Sequence, residues 1–138
     1  MIKSELYRQD TLDHGRNPRN FGKLSNADAF SREANLSCGD EIILYVKFGK
    51  NNAGKSIADI SFEGRGCLVC VAAGSKLTEY IKGKRAQDAA KMTSKKALAL
   101  FGAPLTPSRE PCALLSYKAM RGIFDRSWPS KARPPKNQ

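Results

Sequence analysis

The sequence has one histidine and one tryptophan among its 138 residues, and it lacks any long hydrophobic run. A single histidine excludes a histidine-rich metal site. No segment approaches the roughly 20 apolar residues of a membrane-spanning helix, so we expect no membrane association. The first ten residues, MIKSELYRQD, contain no apolar segment typical of a secretion signal. We therefore expect a cytoplasmic protein, in which the four cysteines serve metal binding or catalysis before disulfide formation.

Acidic residues are also scarce. The 24 lysines and arginines outnumber 13 aspartates and glutamates, which gives a formal net charge of +11. Residues 126–138, RSWPSKARPPKNQ, carry four basic residues, three prolines and no acid. Because such a composition cannot form a hydrophobic core, we predict a disordered basic tail after a single domain of residues 1–125.

The net charge raises the hypothesis of a basic nucleic-acid-binding protein with a structural zinc site. Against this hypothesis, the basic residues are not interleaved with aromatic residues on one element, and no nucleic-acid-binding motif is present. We therefore expect no nucleic-acid partner, and we interpret the charge as an aid to docking on an acidic partner.

Alternating hydrophobicity predicts an antiparallel hairpin with strands over residues 41–48 and 57–63, joined by a polar turn. An edge strand is predicted near residues 31–35. One face of the hairpin is apolar and should be covered. The residues of this face are Ile42, Leu44, Val46 and Phe48 in the first strand and Ala58, Ile60 and Phe62 in the second.

Helical patterns occupy the remaining chain. Ser4 is a candidate N-cap for a first helix that ends near Asp13. Apolar residues at every fourth position predict a long helix that ends at Gly83, with Tyr80 on a core face. Further helices are predicted over residues 86–101 and from Cys112 onward. Strands followed by helices predict an α+β fold, in which a small antiparallel sheet is covered by helices.

Three cysteines fall at the ends of predicted elements. Cys38 precedes the first hairpin strand, Cys67 begins the long helix after the second strand, and Cys112 begins the last helix. Thiolates are favoured at helix N-termini, where the helix dipole is positive. Together with the carboxylate of Asp40, three thiolates would complete a four-coordinate zinc site. The alternative is that these are buried, inert thiols.

Cys67 and Cys70 form a Cys-x-x-Cys pair at a helix start. One hypothesis is a thiol-disulfide protein, although the preceding antiparallel hairpin is not the βαβ context that such proteins have. A second is that Cys70 is an auxiliary thiol or ligand, and a third is that it packs in the core.

Five segments, in this order, resemble the U-type iron–sulfur cluster scaffold family, which comprises IscU, SufU and the N-terminal part of NifU. They are LYRQDTLDHGRNPRNFGKL, NLSCGDEIILYVKF, ADISFEGRGC, SKLTEYIKGK and PSREPCALLSYKAM. The resemblance implies an α+β fold with about three strands. By matching position, it also implies that Cys38, Asp40, Cys67 and Cys112 are the ligands of Zn²⁺ or of a [2Fe–2S] cluster.

The resemblance further implies two kinds of partner: a pyridoxal-phosphate cysteine desulfurase that supplies persulfide sulfur, and apo iron–sulfur acceptor proteins. Pro111 stands where the IscU branch has a histidine, and the Pro107-x-Arg109-x-x-Cys112 pattern is similar to the SufU branch.

We expect a scaffold rather than an enzyme in its own right, or a sulfurtransferase acting with the desulfurase. Cys38 is the favoured sulfur acceptor because its glycine-flanked loop should be mobile. Arg109 is a candidate auxiliary residue that docks the desulfurase or balances thiolate charge.

Overall fold

The protein is described by a computed structural model that covers residues 2–36, 39–51 and 54–124. The predicted tail of residues 126–138 therefore lies outside the described residues, and so does Cys38. The elements in chain order are α1 (Ile2–Arg16), β1 (Ala29–Asn35), β2 (Asp40–Asn51), β3 (Gly54–Arg65), α2 (Leu68–Ile81), α3 (Ala86–Ala90), α4 (Ser94–Phe101), α5 (Glu110–Ala113) and α6 (Leu115–Phe124).

The three strands form one antiparallel sheet in the order β1-β2-β3. Helices α2 and α6 pack on one face of this sheet. The core between the two layers is built from side chains of β2 and β3 and of these helices. Its largest fully buried members are Phe62, Ile42, Leu44, Ile57, Ile60, Ile81, Leu115 and Met120. The predicted α+β fold with a small helix-covered antiparallel sheet is confirmed.

A β-bulge changes one face assignment in the hairpin. Lys47 pairs with Asp59, but the next residue, Phe48, pairs with Ile57, so Ala58 is left as the extra residue. The strict alternation of side chains breaks at such a position. The prediction that Ala58 lies on the covered face is therefore wrong: Ile57 is fully buried in its place and Ala58 is exposed.

The first helix is longer than predicted. It begins at Ile2, so Ser4 is not its N-cap, and it continues through Gly15 to Arg16. Gly15 remains helical because α1 packs against α2 at this point: a Cβ atom on Gly15 would lie 2.5 Å from the side chain of Leu68. The close contact between the two helices outweighs the low helix propensity of glycine.

The single helix predicted over residues 86–101 is interrupted. Thr93 begins a new helix, α4, because its hydroxyl accepts a hydrogen bond from the backbone N–H of Lys96 at 3.1 Å. This is the usual role of threonine at an N-cap. The last predicted helix is likewise divided, at Leu114, into α5 and α6. Within the described residues, no helix has both the length and the hydropathy needed to cross a membrane.

Candidate metal or cluster site

Three of the four predicted donors meet at the open end of the hairpin. Asp40 is the first residue of β2, Cys67 is the N-cap of α2, and Cys112 lies in α5. Strand pairing of Glu41 with Arg65 brings the beginning of β2 next to the end of β3. As a result, one carboxylate oxygen of Asp40 and the sulfur atoms of the two cysteines all lie within 4.8 Å of one another.

Asp40 is held in place by Cys67. The carboxylate is 2% exposed, and its Oδ1 atom accepts a hydrogen bond from the backbone N–H of Cys67 at 3.0 Å. The thiol of the same cysteine lies 3.5 Å from Oδ2. A buried carboxylate needs such donors to offset the loss of hydration.

Gly66 makes this contact possible. Its φ is +148°, and a Cβ atom there would lie 2.0 Å from Oδ1 of Asp40. Only glycine leaves room for the carboxylate beside this backbone.

Cys112 enters the group from α5, which packs against α2. Its backbone N–H donates to the carbonyl oxygen of Arg109 at 3.1 Å, within the first turn of α5, and Pro111 stands in that turn. The side chain is buried, with 2% of its surface exposed, whereas Cys67 is half-buried. The group therefore has a buried side and a side that solvent or a partner can reach.

The fourth predicted donor, Cys38, is not among the described residues. Its sequence neighbours show where the chain enters and leaves this segment: Leu36 is 93% exposed, and Gly39 has a φ of +75° and immediately precedes Asp40. The predicted role of Cys38 as ligand and sulfur acceptor therefore stays a prediction.

The donor set fits zinc or an iron–sulfur cluster. Thiolates with one carboxylate are ligands that zinc accepts in tetrahedral sites, and cysteine thiolates are the usual ligands of clusters. With Zn–S bonds of about 2.3 Å, ligand atoms of a tetrahedral site are roughly 3.5–3.8 Å apart. The distance of 3.5 Å between Cys67 Sγ and Asp40 Oδ2 already meets this spacing. Cys67, Cys70 and Cys112 are not joined in disulfides.

Cys70 lies outside the donor group. It is fully buried and belongs to the hydrophobic core beneath the site. The core position favours the packing hypothesis for Cys70 over an auxiliary ligand, and it leaves the Cys-x-x-Cys pair without an accessible second thiol.

Arg109 precedes α5 and His14 lies in α1, and both helices contact α2. Arg109 is exposed at the N-cap of α5, three residues before Cys112. His14 lies in the last turn of α1, and its Nδ1 atom is 2.7 Å from the hydroxyl of Ser75. Burial lowers the pKa of His14.

An ionic cluster next to Asp40 was not predicted from the sequence. Glu41 contacts Arg32 on β1 and Arg65 on β3, the latter at 3.1 Å. The hydrogen bond from Arg65, followed by that from Arg32, holds the pKa of Glu41 below its ordinary value. Only the strand register, which places the three residues side by side, could have indicated this cluster. It holds two guanidinium groups on the carboxylate that follows Asp40 in the chain.

The sheet, its helical cover and the thiolate–carboxylate group define a small α+β domain with a candidate metal or cluster site. The family model of the NifU-like N terminal domain matches residues 6–126. The chain belongs to this family.

Two relatives illustrate the range of the family. Over 116 residues the chain is 34% identical to the iron-sulfur cluster assembly scaffold protein IscU 1 of Archaeoglobus fulgidus, covering 84% of this chain and 72% of that protein. It is 35% identical over 132 residues to the zinc-dependent sulfurtransferase SufU of Bacillus subtilis, covering 83% of this chain and 86% of that protein.

Solved structures agree with the fold. An iron-sulfur cluster assembly scaffold protein for the SUF system from Fervidobacterium islandicum matches with a TM-score of 0.69 and 26% identity, over 85% of this chain and 95% of that chain. The N-terminal NifU-like protein of Brucella abortus matches with a TM-score of 0.63 over 88% of this chain and 94% of that chain; at 16% identity it bears on the fold alone.

Proposed function

We propose that this protein is an iron–sulfur cluster assembly scaffold, or a zinc-dependent sulfur acceptor, that takes persulfide sulfur from a pyridoxal-phosphate cysteine desulfurase. The observation that carries the proposal is the convergence of Asp40, Cys67 and Cys112 to within 4.8 Å of one another in a chain of this family. Relatives named as scaffolds and as a zinc-dependent sulfurtransferase support both forms of the activity.

The proposed ligand set is Cys38, Asp40, Cys67 and Cys112. Zinc, when bound, would keep the thiolates deprotonated and restrained, and a [2Fe–2S] cluster would be the cargo of the same residues. The partly exposed side of the group, at Cys67, is where a partner could reach the thiolates. Free thiols of this kind require a reducing compartment, which supports action in the cytoplasm.

Sulfur transfer needs one nucleophilic thiolate. In the proposed step, the thiolate of Cys38 attacks the outer sulfur of the desulfurase persulfide. The S–S bond of that persulfide breaks, and the desulfurase cysteine leaves as a thiolate with the electron pair. A persulfide forms on Cys38, and the exchange needs no external oxidant or reductant. The sulfur can then enter a cluster that passes to apo iron–sulfur acceptor proteins.

Arg109 is the proposed auxiliary residue. It is exposed and begins the short helix that carries Cys112, so a desulfurase that reaches this cysteine would also meet the guanidinium group. Replacing Arg109 by alanine should lower stimulation of the desulfurase and leave metal content unchanged.

The test is the metal and acid-labile sulfide content of the full chain after anaerobic reconstitution, followed by a desulfurase stimulation assay. Zinc without sulfide indicates the sulfur acceptor, whereas iron with equimolar sulfide indicates the scaffold. Cys112→Ala should lose the metal or cluster, and Cys70→Ala is the matched control that should retain it. Cys38→Ala should abolish stimulation. Full metal content in Cys112→Ala, or full stimulation with Cys38→Ala, would contradict the proposal.

A further inference from the structure

A group of lysines surrounds an aromatic ring at the carboxyl end of α2, opposite the end that carries Cys67. We call Tyr80, Lys84, Lys91 and Lys96 the cationic patch. The ammonium groups of Lys84 and Lys96 lie 4.4 Å and 5.1 Å from the centre of the Tyr80 ring. All four residues line a cavity of about 160 Å³. Because α2 has 14 residues, the patch is about 20 Å from the metal site along the helix axis.

The positive charge of the patch is not compensated locally. Within the described part of the chain, no carboxylate forms an ion pair with any of its three lysines, whereas Lys76 and Lys82 pair with carboxylates at 3.0 Å and 3.4 Å. Asp88, the acidic residue of the cavity lining, is engaged at 3.1 Å by Arg85. The cavity therefore presents ammonium groups to solvent without an anionic partner.

Lys96 occupies a position at which helix stability favours an acid. It is the third residue after the N-cap Thr93, where glutamate would complete a capping box. A lysine there lies at the positive end of the helix dipole and is unfavourable for the helix. The cation thus adds positive potential at a cost in helix stability, a trade-off that is common at binding surfaces.

Tyr80 is 37% exposed, which corrects the prediction that it lies on a core face. Its exposed ring makes the patch a mixed aromatic and cationic surface, and two classes of ligand could use it. A nucleobase would have to displace the ammonium groups to stack on the ring. Carboxylates, by contrast, can pair with these groups where they lie. The three lysines also surround one cavity and do not line a groove that could follow a nucleic-acid backbone.

We propose that the cationic patch binds an acidic segment of a partner protein, at a surface separate from the metal site. The proposal does not depend on whether the site holds zinc or a cluster. Attraction between a lysine patch and an acidic segment should increase the rate of association and weaken as salt screens the charges.

The test uses the full chain and a fluorescein-labelled peptide of ten glutamates, with binding followed by fluorescence anisotropy at low salt. The double variant Lys84→Glu and Lys96→Glu should weaken peptide binding at least fivefold. The matched control, Arg8→Glu with Lys23→Glu, makes the same change in net charge at exposed positions outside the patch and should change binding less than twofold.

Three further variants separate the charge of the patch from effects on folding and on the metal site. Lys96→Glu alone should keep or raise the thermal midpoint, because it completes the capping box. The milder pair Lys84→Gln and Lys96→Gln separates lost charge from reversed charge. Cys112→Ala, which tests the metal site, should leave peptide binding unchanged. Equal weakening in patch and control variants would overturn the proposal, as would tighter binding of a ten-nucleotide uridine RNA with the same dependence on the patch.

Discussion

The Oδ1 atom of Asp40 accepts a hydrogen bond from the backbone N–H of Cys67 at 3.0 Å, while Oδ2 lies 3.5 Å from the sulfur of the same residue. One carboxylate thus contacts both the backbone and the thiol at the start of α2. Since the carboxylate is buried, these contacts fix its direction before any metal arrives. Asp40 therefore has two separable functions: it orients Cys67, and it offers an anionic oxygen to a metal ion.

Two substitutions of Asp40 separate these functions. Asp40→Ala should lower zinc affinity about tenfold or more, because both the anionic donor and the orienting hydrogen bond are lost. Asp40→Asn retains an oxygen that can accept the N–H of Cys67, and so its affinity should fall between those of Asp40→Ala and the wild type. Competition with a chromophoric chelator measures the three affinities. Wild-type affinity in Asp40→Ala would show that the carboxylate is not a ligand.

Gly66 gives a second prediction about the site. Gly66→Ala should displace the Asp40 carboxylate, because the new Cβ atom would lie 2.0 Å from Oδ1, and it should reduce the bound zinc. The matched control is Gly83→Ala. Gly83 also has positive φ, at +89°, but a Cβ atom there meets no atom within 4 Å. Both variants should lose about 1–2 kcal/mol of stability from backbone strain, and only the first should lose metal. Equal zinc stoichiometry in the two would contradict the steric explanation.

Local sequence patterns predicted the elements of this fold well where burial is one-sided. The alternation that predicted β2 is confirmed because its inward residues, such as Leu44, face a continuous helical layer. The errors arise from tertiary or capping contacts. The bulge at Ala58 depends on the pairing of two strands, and the extension of α1 through Gly15 depends on contact with Leu68. The break before α4 depends on the capping hydrogen bond of Thr93, which helical periodicity alone does not reveal.

The candidate site was predictable in part. The positions of Cys67 and Cys112 near helix starts indicated a common site, and the structure brings their sulfur atoms together with Asp40. Periodicity carries no information on which atom of Asp40 faces Cys67. Nor does it indicate the contacts of Glu41 with two arginines, because those arginines come from different strands and meet only in the folded sheet.

Cys70 provides a test of core packing against metal ligation. The side chain is fully buried in the core, so Cys70→Ala should cost about 1–2 kcal/mol of unfolding free energy through lost contacts and a small cavity. Zinc content should remain that of the wild type. Urea unfolding of the apo protein measures the first effect, and metal analysis of the loaded protein measures the second. Reduced zinc content in a fully folded Cys70→Ala protein would assign the thiol to the site.

We expect His14 to make the stability of the fold depend on pH. Burial, and then the nearby Arg19, lower its pKa from the ordinary value of 6.5, against the opposing charges of Asp10 and Glu79. The hydroxyl of Ser75 accepts the N–H of Arg19 and lies 2.7 Å from Nδ1, which suits a neutral ring that accepts the hydroxyl proton.

Because the folded chain holds His14 at a lowered pKa, the unfolded chain binds the proton first as pH falls below about 6.5. The contribution of His14 to stability is therefore present above this pH and lost below it.

Urea midpoints should decrease between pH 7.5 and 5.5 in the wild type. His14→Asn should show a weaker decrease, since this is the one histidine of the chain. Burial raises the pKa of Glu33, whose effect has the opposite sign and is common to both proteins, so the difference between them isolates His14. Parallel pH profiles would show that protonation of His14 does not destabilise the fold.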